Sequence, residues 1–481
     1  MVRRQGPSVD RHPSARGPFP FFSRATPPSA RNATFDGVPE SALHVILGDD
    51  ATRVNDCDRQ TRAVQRPTRA GPVPDPCPTR AQQERPDVTL SMPLEEVDFG
   101  LHELPGESLH QVLRGFRERG PVQPTRFLGN PAFVITGHKA LEEAFLDEHI
   151  LPGHRVYQVS FEPAIGKSFI SDPDPASHLL YRKLATPAFR SRAVASYEQS
   201  GLAALANERV DRVADLEELD LVPDFTARFP YLVISRLLGL PRDREDEFHA
   251  WALALLTYRD DPVRGQKARE SLSDFLAPIV EERRRKPQND VISELLQAEV
   301  DGRKLTDEEV FSHVRLLFPT GGETTHGSLG NLLSALLLHE DAWERIVRNP
   351  GLIPAAVNEA LRYDTSIAVL PRLSRSEPTK FRGLDIPADS WVLFAIAGAN
   401  RDPEVVRDPD RFDIDRVQPP NLVFGRGPKS CPGIHLARRN MTVALEVLTR
   451  RMPELELIDR EAAQPRRTVL RTPAALRVRR R

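Results

Sequence analysis

Apolar residues recur at helical spacing along most of the chain after about residue 90, and that periodicity predicts a mainly α-helical protein with small β-sheets. A helix is expected over His138–Leu146. Others fall near Ala193–Val213, Pro223–Leu238, Arg244–Thr257, Arg264–Arg285, Val291–Ala298 and Asp307–His339. Strand patterns are short. Phe127-Leu128 and Phe133-Val134-Ile135 flank Gly129-Asn130-Pro131, which predicts a hairpin across Pro124–Gly137. Lys380-Phe381-Arg382 and Trp391-Val392-Leu393-Phe394, around a connection containing Gly and Pro, predict a second small sheet. The best apolar runs, Trp251–Leu256 and Ala335–Leu338, break within a few residues, so no membrane span is expected.

Residues 1–90 depart from this pattern. Proline and arginine are dense there, lysine is absent, and no apolar periodicity lasts beyond a turn. Such a composition cannot bury enough surface to offset chain entropy, which predicts a disordered extension followed by one domain over 91–481. It also lacks the apolar core of a secretory signal. Met92 opens the ordered pattern, so the preceding stretch is either a disordered tail or sequence upstream of the true translation start.

Charge and cysteine content narrow the classes. The 481 residues carry a formal charge of -2, which gives no bias towards nucleic acid. Three cysteines in this length fit a reducing cytoplasm better than a disulfide scaffold.

One of those cysteines stands in the most distinctive stretch, Phe424-Gly425-Arg426-Gly427-Pro428-Lys429-Ser430-Cys431-Pro432-Gly433. The glycines allow a tight loop that can approach a flat cofactor, and Phe424 can pack on its face. Pro432 suits a first helical position, and Ile434, Met441, Ala444, Leu445 and Leu448 continue at helical spacing. Cys431 at a helix N-terminus would have its thiol pKa lowered, favouring a thiolate metal ligand. The alternatives are an ordinary buried cysteine, a phosphate loop or a zinc site. Pro428 interrupts the Gly-Lys-Ser order that a phosphate loop requires. Zinc would need two ligands beyond Cys431 and His435, and Cys57 and Cys77 lie in the extension.

A second constellation, Thr320-Gly321-Gly322-Glu323-Thr324-Thr325, lies within the longest predicted helix, directly after Pro319. Proline and paired glycines predict a kink or bulge there. It is either a simple helix break or a place where a carboxylate beside a hydroxyl relays protons. Glu359 and Arg362 share a helix face at i and i+3, on a helix apolar enough to bury them in part. His178 and Arg182, four apart, likewise share a face, either solvated or aimed at an anion.

Together these motifs, in this order, resemble the cytochrome P-450 superfamily of haem-thiolate proteins, in its soluble bacterial form. The resemblance covers His178 to Leu448 closely and agrees with the layout from Met92 onward. It implies the superfamily's triangular, mainly helical fold and haem b (iron protoporphyrin IX) as cofactor, with Cys431 as the iron ligand and Phe424, Gly425 and Gly433 shaping the loop. His178, Arg182, Arg372 and Lys429 match its propionate donors, although Lys429 stands where the family usually has His or Arg. Glu323 and Thr324 match its acid and alcohol, in a motif usually reading Ala/Gly-Gly-x-Glu/Asp-Thr-Thr, with Thr320 replacing the first small residue. Glu359, Arg362 and Arg411 match its structural ion-pair network.

The implied reaction is reductive activation of dioxygen, with one oxygen atom entering an organic substrate and the other leaving as water. Electrons are then expected from another protein, because only about fifty residues follow Cys431 and the N-terminal extension has no Gly-rich dinucleotide fingerprint after a strand. A ferredoxin with its NAD(P)H-dependent reductase is the implied donor, with a flavodoxin as the other option. Of basic Arg426, Lys429, Arg438 and Arg439, joined by Lys183, some are expected to face haem propionates and the rest solvent on the cysteine side, giving a positive patch for an acidic ferredoxin. Pocket walls placed by analogy, at His154–Ile170, near Trp251–Tyr258, Leu316–Thr320, Ile367–Leu370 and Thr472–Leu476, are mostly apolar, which implies a hydrophobic small-molecule substrate. The remaining alternatives are a peroxide-using or rearranging enzyme on the same fold, and a non-catalytic haem-based ligand carrier or sensor.

Overall fold

The computed structural model describes residues 93–481 other than 192, 195–200, 243, 260, 340, 418–420 and 481. The disordered extension expected over 1–90 lies outside the described residues.

The Asp307–Leu338 helix organises the interior. Its 32 residues span roughly 48 Å. Buried side chains occupy every face over most of its length, from Val310 to Leu336, so it is a core helix rather than an amphipathic surface one. Phe229–Leu238, Glu245–Leu256, Ile353–Tyr363 and Ile434–Arg451 pack against it. The helix is not broken at Pro319. The segment stays helical from end to end, because packing on all sides outweighs the local cost of Pro319, Gly321 and Gly322. The Thr320, Thr324, Thr325 and Ser328 hydroxyls each donate to the carbonyl four residues earlier, at 2.6 to 2.8 Å.

Other helices follow the periodicity closely. His138–Leu146 is as expected, and Glu245–Leu256, Pro262–Arg285 and Val291–Gln297 differ by one or two residues at their ends. The helix expected from Pro223 starts at Phe229, after a single wide turn over Val222–Thr226. That expected from Ala193 is described as helix over Leu202–Asp211.

The hairpin forms between Val122–Phe127 and Asn130–Ile135, with the turn one residue earlier than predicted. Leu128 (φ 51°) and Gly129 (φ 78°) are its two central residues. A two-residue turn of this hand requires positive φ at both, which strains Leu128. The buried Asp98 carboxylate pins it, accepting from the Leu128 and Gly129 amides at 2.8 and 2.7 Å.

The second predicted sheet pairs differently. Thr379–Phe381 pairs with Leu384–Ile386, whereas Trp391–Phe394 joins the hairpin sheet, running parallel to Asn130–Ile135 and antiparallel to the edge strand Leu370–Leu373. Alternation could show these segments as strands but not choose partners so distant in sequence. A three-stranded sheet orders Leu455–Leu457, Arg477–Arg480 and Glu218–Asp220. No described helix is long and apolar enough to cross a membrane.

The long helix begins with a reciprocal cap. The Thr306 hydroxyl accepts from the Glu309 amide, and the Glu309 carboxylate accepts from the Thr306 amide, from Tyr181 and from Arg303. Burial pushes the Glu309 carboxyl up, but these donors outweigh it and bring the pKa from 4.5 down to about 2. A folded value below the unfolded one means stabilisation that is complete above the unfolded value and fades as pH falls through the folded one. Glu309→Gln keeps a capping side chain and removes the charge. Thermal melts should show a deficit for the variant that is constant above about pH 6 and closes as pH drops from 4.5 towards 2. A deficit independent of pH would contradict this.

Candidate active site

The cysteine loop is built by two left-handed glycines and one backbone bond. Gly425 (φ 69°) and Gly427 (φ 68°) take conformations that side chains rarely adopt, and the Cys431 amide donates to the Phe424 carbonyl at 2.8 Å. The following helix starts at Ile434 with Gly433 as its N-cap, so Pro432 lies outside it. The Cys431 thiol is free and solvent-accessible, yet protein surrounds it closely, which places the sulfur in a recess. Burial pushes its pKa up, against opposing pulls from the Gly433 amide and Arg182. The lowering expected from a helix N-terminus does not prevail, because the helix begins three residues further on.

Cationic and imidazole groups gather beside this loop. On the Pro175–Ala185 helix, His178 Nε2 lies 3.1 Å from the Pro428 carbonyl, and Arg182 donates to the Pro428 and Ser430 carbonyls at 3.1 and 2.5 Å. Lys429 Nζ turns inward, 3.0 Å from His178 Nδ1 and 3.2 Å from the Asp172 carbonyl. Burial lowers its pKa to about 8, with Glu148 and Asp172 opposing and Arg372 and Arg182 adding to the drop. Beside it, burial and then Lys429 and Arg155 bring His154 to about 4.

Arg372, on the edge strand, is buried near the Tyr157 and Phe394 rings, and its one hydrogen bond among the described residues is to the neighbouring Pro371 carbonyl at 3.3 Å. No carboxylate pairs with it among the described residues. A buried guanidinium without an anion is costly, so this pocket is electrostatically suited to one.

Glu323 and Thr324 sit on the long helix with no side-chain hydrogen bond between them among the described residues. The Thr324 hydroxyl donates to the Thr320 carbonyl at 2.7 Å, whereas Glu323 Oε2 accepts from the Tyr231 hydroxyl at 2.9 Å. Tyr231 carried no signal in the sequence, because only the packing of its helix brings it to Glu323.

The Glu359–Arg362 pair is fully buried, with two bonds at 2.8 and 2.7 Å. Arg362 also donates to the Asn400, Pro409 and Arg411 carbonyls. The expected third member is corrected here. Arg411 is exposed and contributes only its carbonyl, whereas the guanidinium that reaches Glu359 belongs to Arg416, at 3.2 Å. The Pro409–Phe412 stretch resembled the family pattern, but the loop carries the next arginine inward.

The basic residues expected on the cysteine side divide into paired, inward-facing and exposed groups. Arg426 pairs with Glu142 at 3.5 Å, Arg439 with Glu446 at 3.3 Å, and Lys429 faces inward. Arg438 lies over the Phe424 ring at 5.4 Å, and Lys183 is exposed.

Comparison with known proteins agrees with this architecture. Residues 351–467 match the cytochrome P-450 family model. The chain is 34% identical to cyclomarin C epoxidase of Salinispora arenicola over 368 residues, covering 73% of this chain and 91% of that protein. It is 31% identical to vitamin D(3) 25-hydroxylase of Pseudonocardia autotrophica over 357 residues, or 72% and 87% of the two chains. The structure of a cytochrome P-450 from Chondromyces apiculatus superposes with a TM-score of 0.72 at 29% identity, covering 80% of this chain and 98% of that one. The chain belongs to the cytochrome P-450 family. It is a haem-dependent monooxygenase of the bacterial class, an oxidoreductase with haem b as its prosthetic group. The residues present suit that group: an accessible thiol in a recess, a glycine-shaped loop, and a buried cation lacking an anion.

The corrected network predicts an asymmetry between neighbouring arginines. Arg416→Ala removes a charge-assisted bond to a fully buried carboxylate and should cost about 1.5–3 kcal/mol. Arg411→Ala keeps the carbonyl and should stay within about 0.5 kcal/mol. Denaturant unfolding of both variants measures the difference; equal losses would restore Arg411 to the network.

Proposed function

We propose that Cys431 supplies the thiolate ligand to the haem iron, and that Phe424, Gly425 and Gly433 shape the loop around it. The observation that carries this reading is the free Cys431 sulfur, accessible in a recess beside a cluster of cations. Arg372, Lys429, His178 and Arg182 are the donors suited to the propionates, with Arg372 the strongest candidate because it is buried without an acid. Bound haem b supplies dioxygen activation and oxygen-atom insertion. The protein's part is to hold the group, exclude water and bring protons. Glu323 and Thr324 fit that last task as acid and alcohol, and they favour the dioxygen route over direct peroxide use, rearrangement or ligand carriage.

The substrate in this reading is a hydrophobic small molecule. Phe161, Ile170, Trp251 and Tyr258, in the segments expected to wall the pocket, are only partly buried against the core. Relatives named for cyclomarin C and vitamin D(3) are in keeping with a sizeable organic substrate. A cytoplasmic setting suits a free thiol at the centre of the site.

Electrons come from a ferredoxin, or a flavodoxin, with its NAD(P)H-dependent reductase. Exposed Lys183 and half-buried Arg438 are the cations of the expected patch without an acidic partner among the described residues. They support docking of an acidic carrier there, weakened by salt as the screening length falls to about 8 Å at physiological strength.

Cys431→Ser should abolish the thiolate signature in the absorption spectrum of the reduced, carbon-monoxide-treated protein. Retention of that signature would reject the ligand assignment. For docking, Lys183→Glu should slow haem reduction by a low-potential ferredoxin and flatten its salt dependence, at unchanged haem content. Identical rates across a salt series would place docking elsewhere.

A further inference from the structure

Gly322 occupies the position that the oxygen-activation motif leaves open, and in this chain it marks a close approach between two helices. A Cβ placed there would lie 2.5, 2.6 and 2.7 Å from Cε1, Cδ1 and Cζ of Tyr231. Those separations are far inside van der Waals contact, so only glycine admits the ring where it lies. The ring is held on two further sides, edge-on to His249 at 4.7 Å and to Phe318 at 5.6 Å between centroids. Tyr231 is 6% exposed, and its hydroxyl reaches Glu323 Oε2 at 2.9 Å. Glu323 Oε1 makes no hydrogen bond among the described residues.

We propose that Tyr231 is a positioning residue for Glu323, anchoring Oε2 so that Oε1 is left as the oxygen that exchanges protons, and that Gly322 is retained to admit the tyrosine. This rests on the reading of Glu323 as the acid of the motif. A carboxylate on a long side chain samples several rotamers, and an anchored one loses that freedom before the reaction rather than during it.

The surrounding groups keep the anchor working in one direction. Burial raises the Tyr231 pKa well above its ordinary value, and Glu323 raises it further, so the hydroxyl stays protonated and donates. His249 faces Glu323, Arg228, His326 and Asp246. Burial outweighs the acids and brings it to about 4, leaving a neutral imidazole beside the tyrosine at neutral pH. His326, three residues after Glu323, is buried with its Nδ1 unpartnered among the described residues. Among the described residues no salt bridge to Glu323 competes with the Tyr231 bond.

The test is made on the holoenzyme with Tyr231→Phe, which keeps the ring and its packing. Infrared difference spectroscopy reads the Glu323 carboxylate stretch, identified by its loss in Glu323→Gln. Turnover with each binding ligand reads product formed per electron consumed. Tyr231→Phe should shift the carboxylate band and raise the share of electrons lost to peroxide several-fold, at unchanged haem content and substrate affinity. Gly322→Ala should reproduce both effects by displacing the ring.

An unmoved band, or unchanged product per electron in Tyr231→Phe while Glu323→Gln uncouples, overturns the positioning role alone. Unchanged product per electron in Glu323→Gln instead overturns the acid reading, and the role of Tyr231 falls with it.

Discussion

Burying a guanidinium and a carboxylate costs several kcal/mol per ion unless every proton and lone pair finds a partner. Arg362 and Glu359 meet that condition because distant backbone converges on them: the Asn400, Pro409 and Arg411 carbonyls on one, the Asp413 amide and Arg416 on the other. The consequence runs to the cysteine. Asn400, fixed through its carbonyl, accepts from the Leu422 amide through its side chain; the Leu422 carbonyl takes the Gly425 amide, and Phe424 takes that of Cys431. A hydrogen-bonded path thus joins the buried pair to the backbone that presents the sulfur. The pair's contribution is geometric, and a change there would be felt at the thiol without any direct contact.

From the opposite side the same loop is held by charge. Arg182 draws on the Pro428 and Ser430 carbonyls, while Lys429 reaches back to carbonyls of the segment preceding the Pro175–Ala185 helix. Carbonyl oxygens are partial negative charges, so they satisfy these cations only in part. Arg372 has still less, a single long bond to its neighbour among the described residues. The pocket thereby carries a standing preference for an anionic group.

Much of this was legible in the residue pattern because it is local. His138–Leu146 and the extent of Asp307–Leu338 follow from periodicity, and the loop from its glycines. What escaped depends on segments far apart in sequence. Trp391–Phe394 chose Asn130–Ile135 as a neighbour through three-dimensional packing. Arg416 displaced Arg411 because a loop turns, Tyr231 met Glu323 because two helices touch at a glycine, and the thiol pKa reflects a recess no motif describes. Pro319 is the converse case, a local helix breaker kept within one continuous helix by burial on all sides. The roles of the cysteine-side cations likewise needed coordinates, since Arg426 and Arg439 are engaged by acids that lie on other turns or helices.

The contact between Gly322 and Tyr231 also restricts how the sequence can drift. Any side chain at 322 larger than hydrogen collides with the ring, yet a smaller residue at 231 would relieve the collision and leave Glu323 unanchored. Effects of changes at the two positions are therefore non-additive, as for residues in direct contact generally. A lineage could abandon glycine only after giving up the tyrosine, so the order of substitutions matters. The two sites should co-vary as a unit, with intermediates that keep one partner disfavoured.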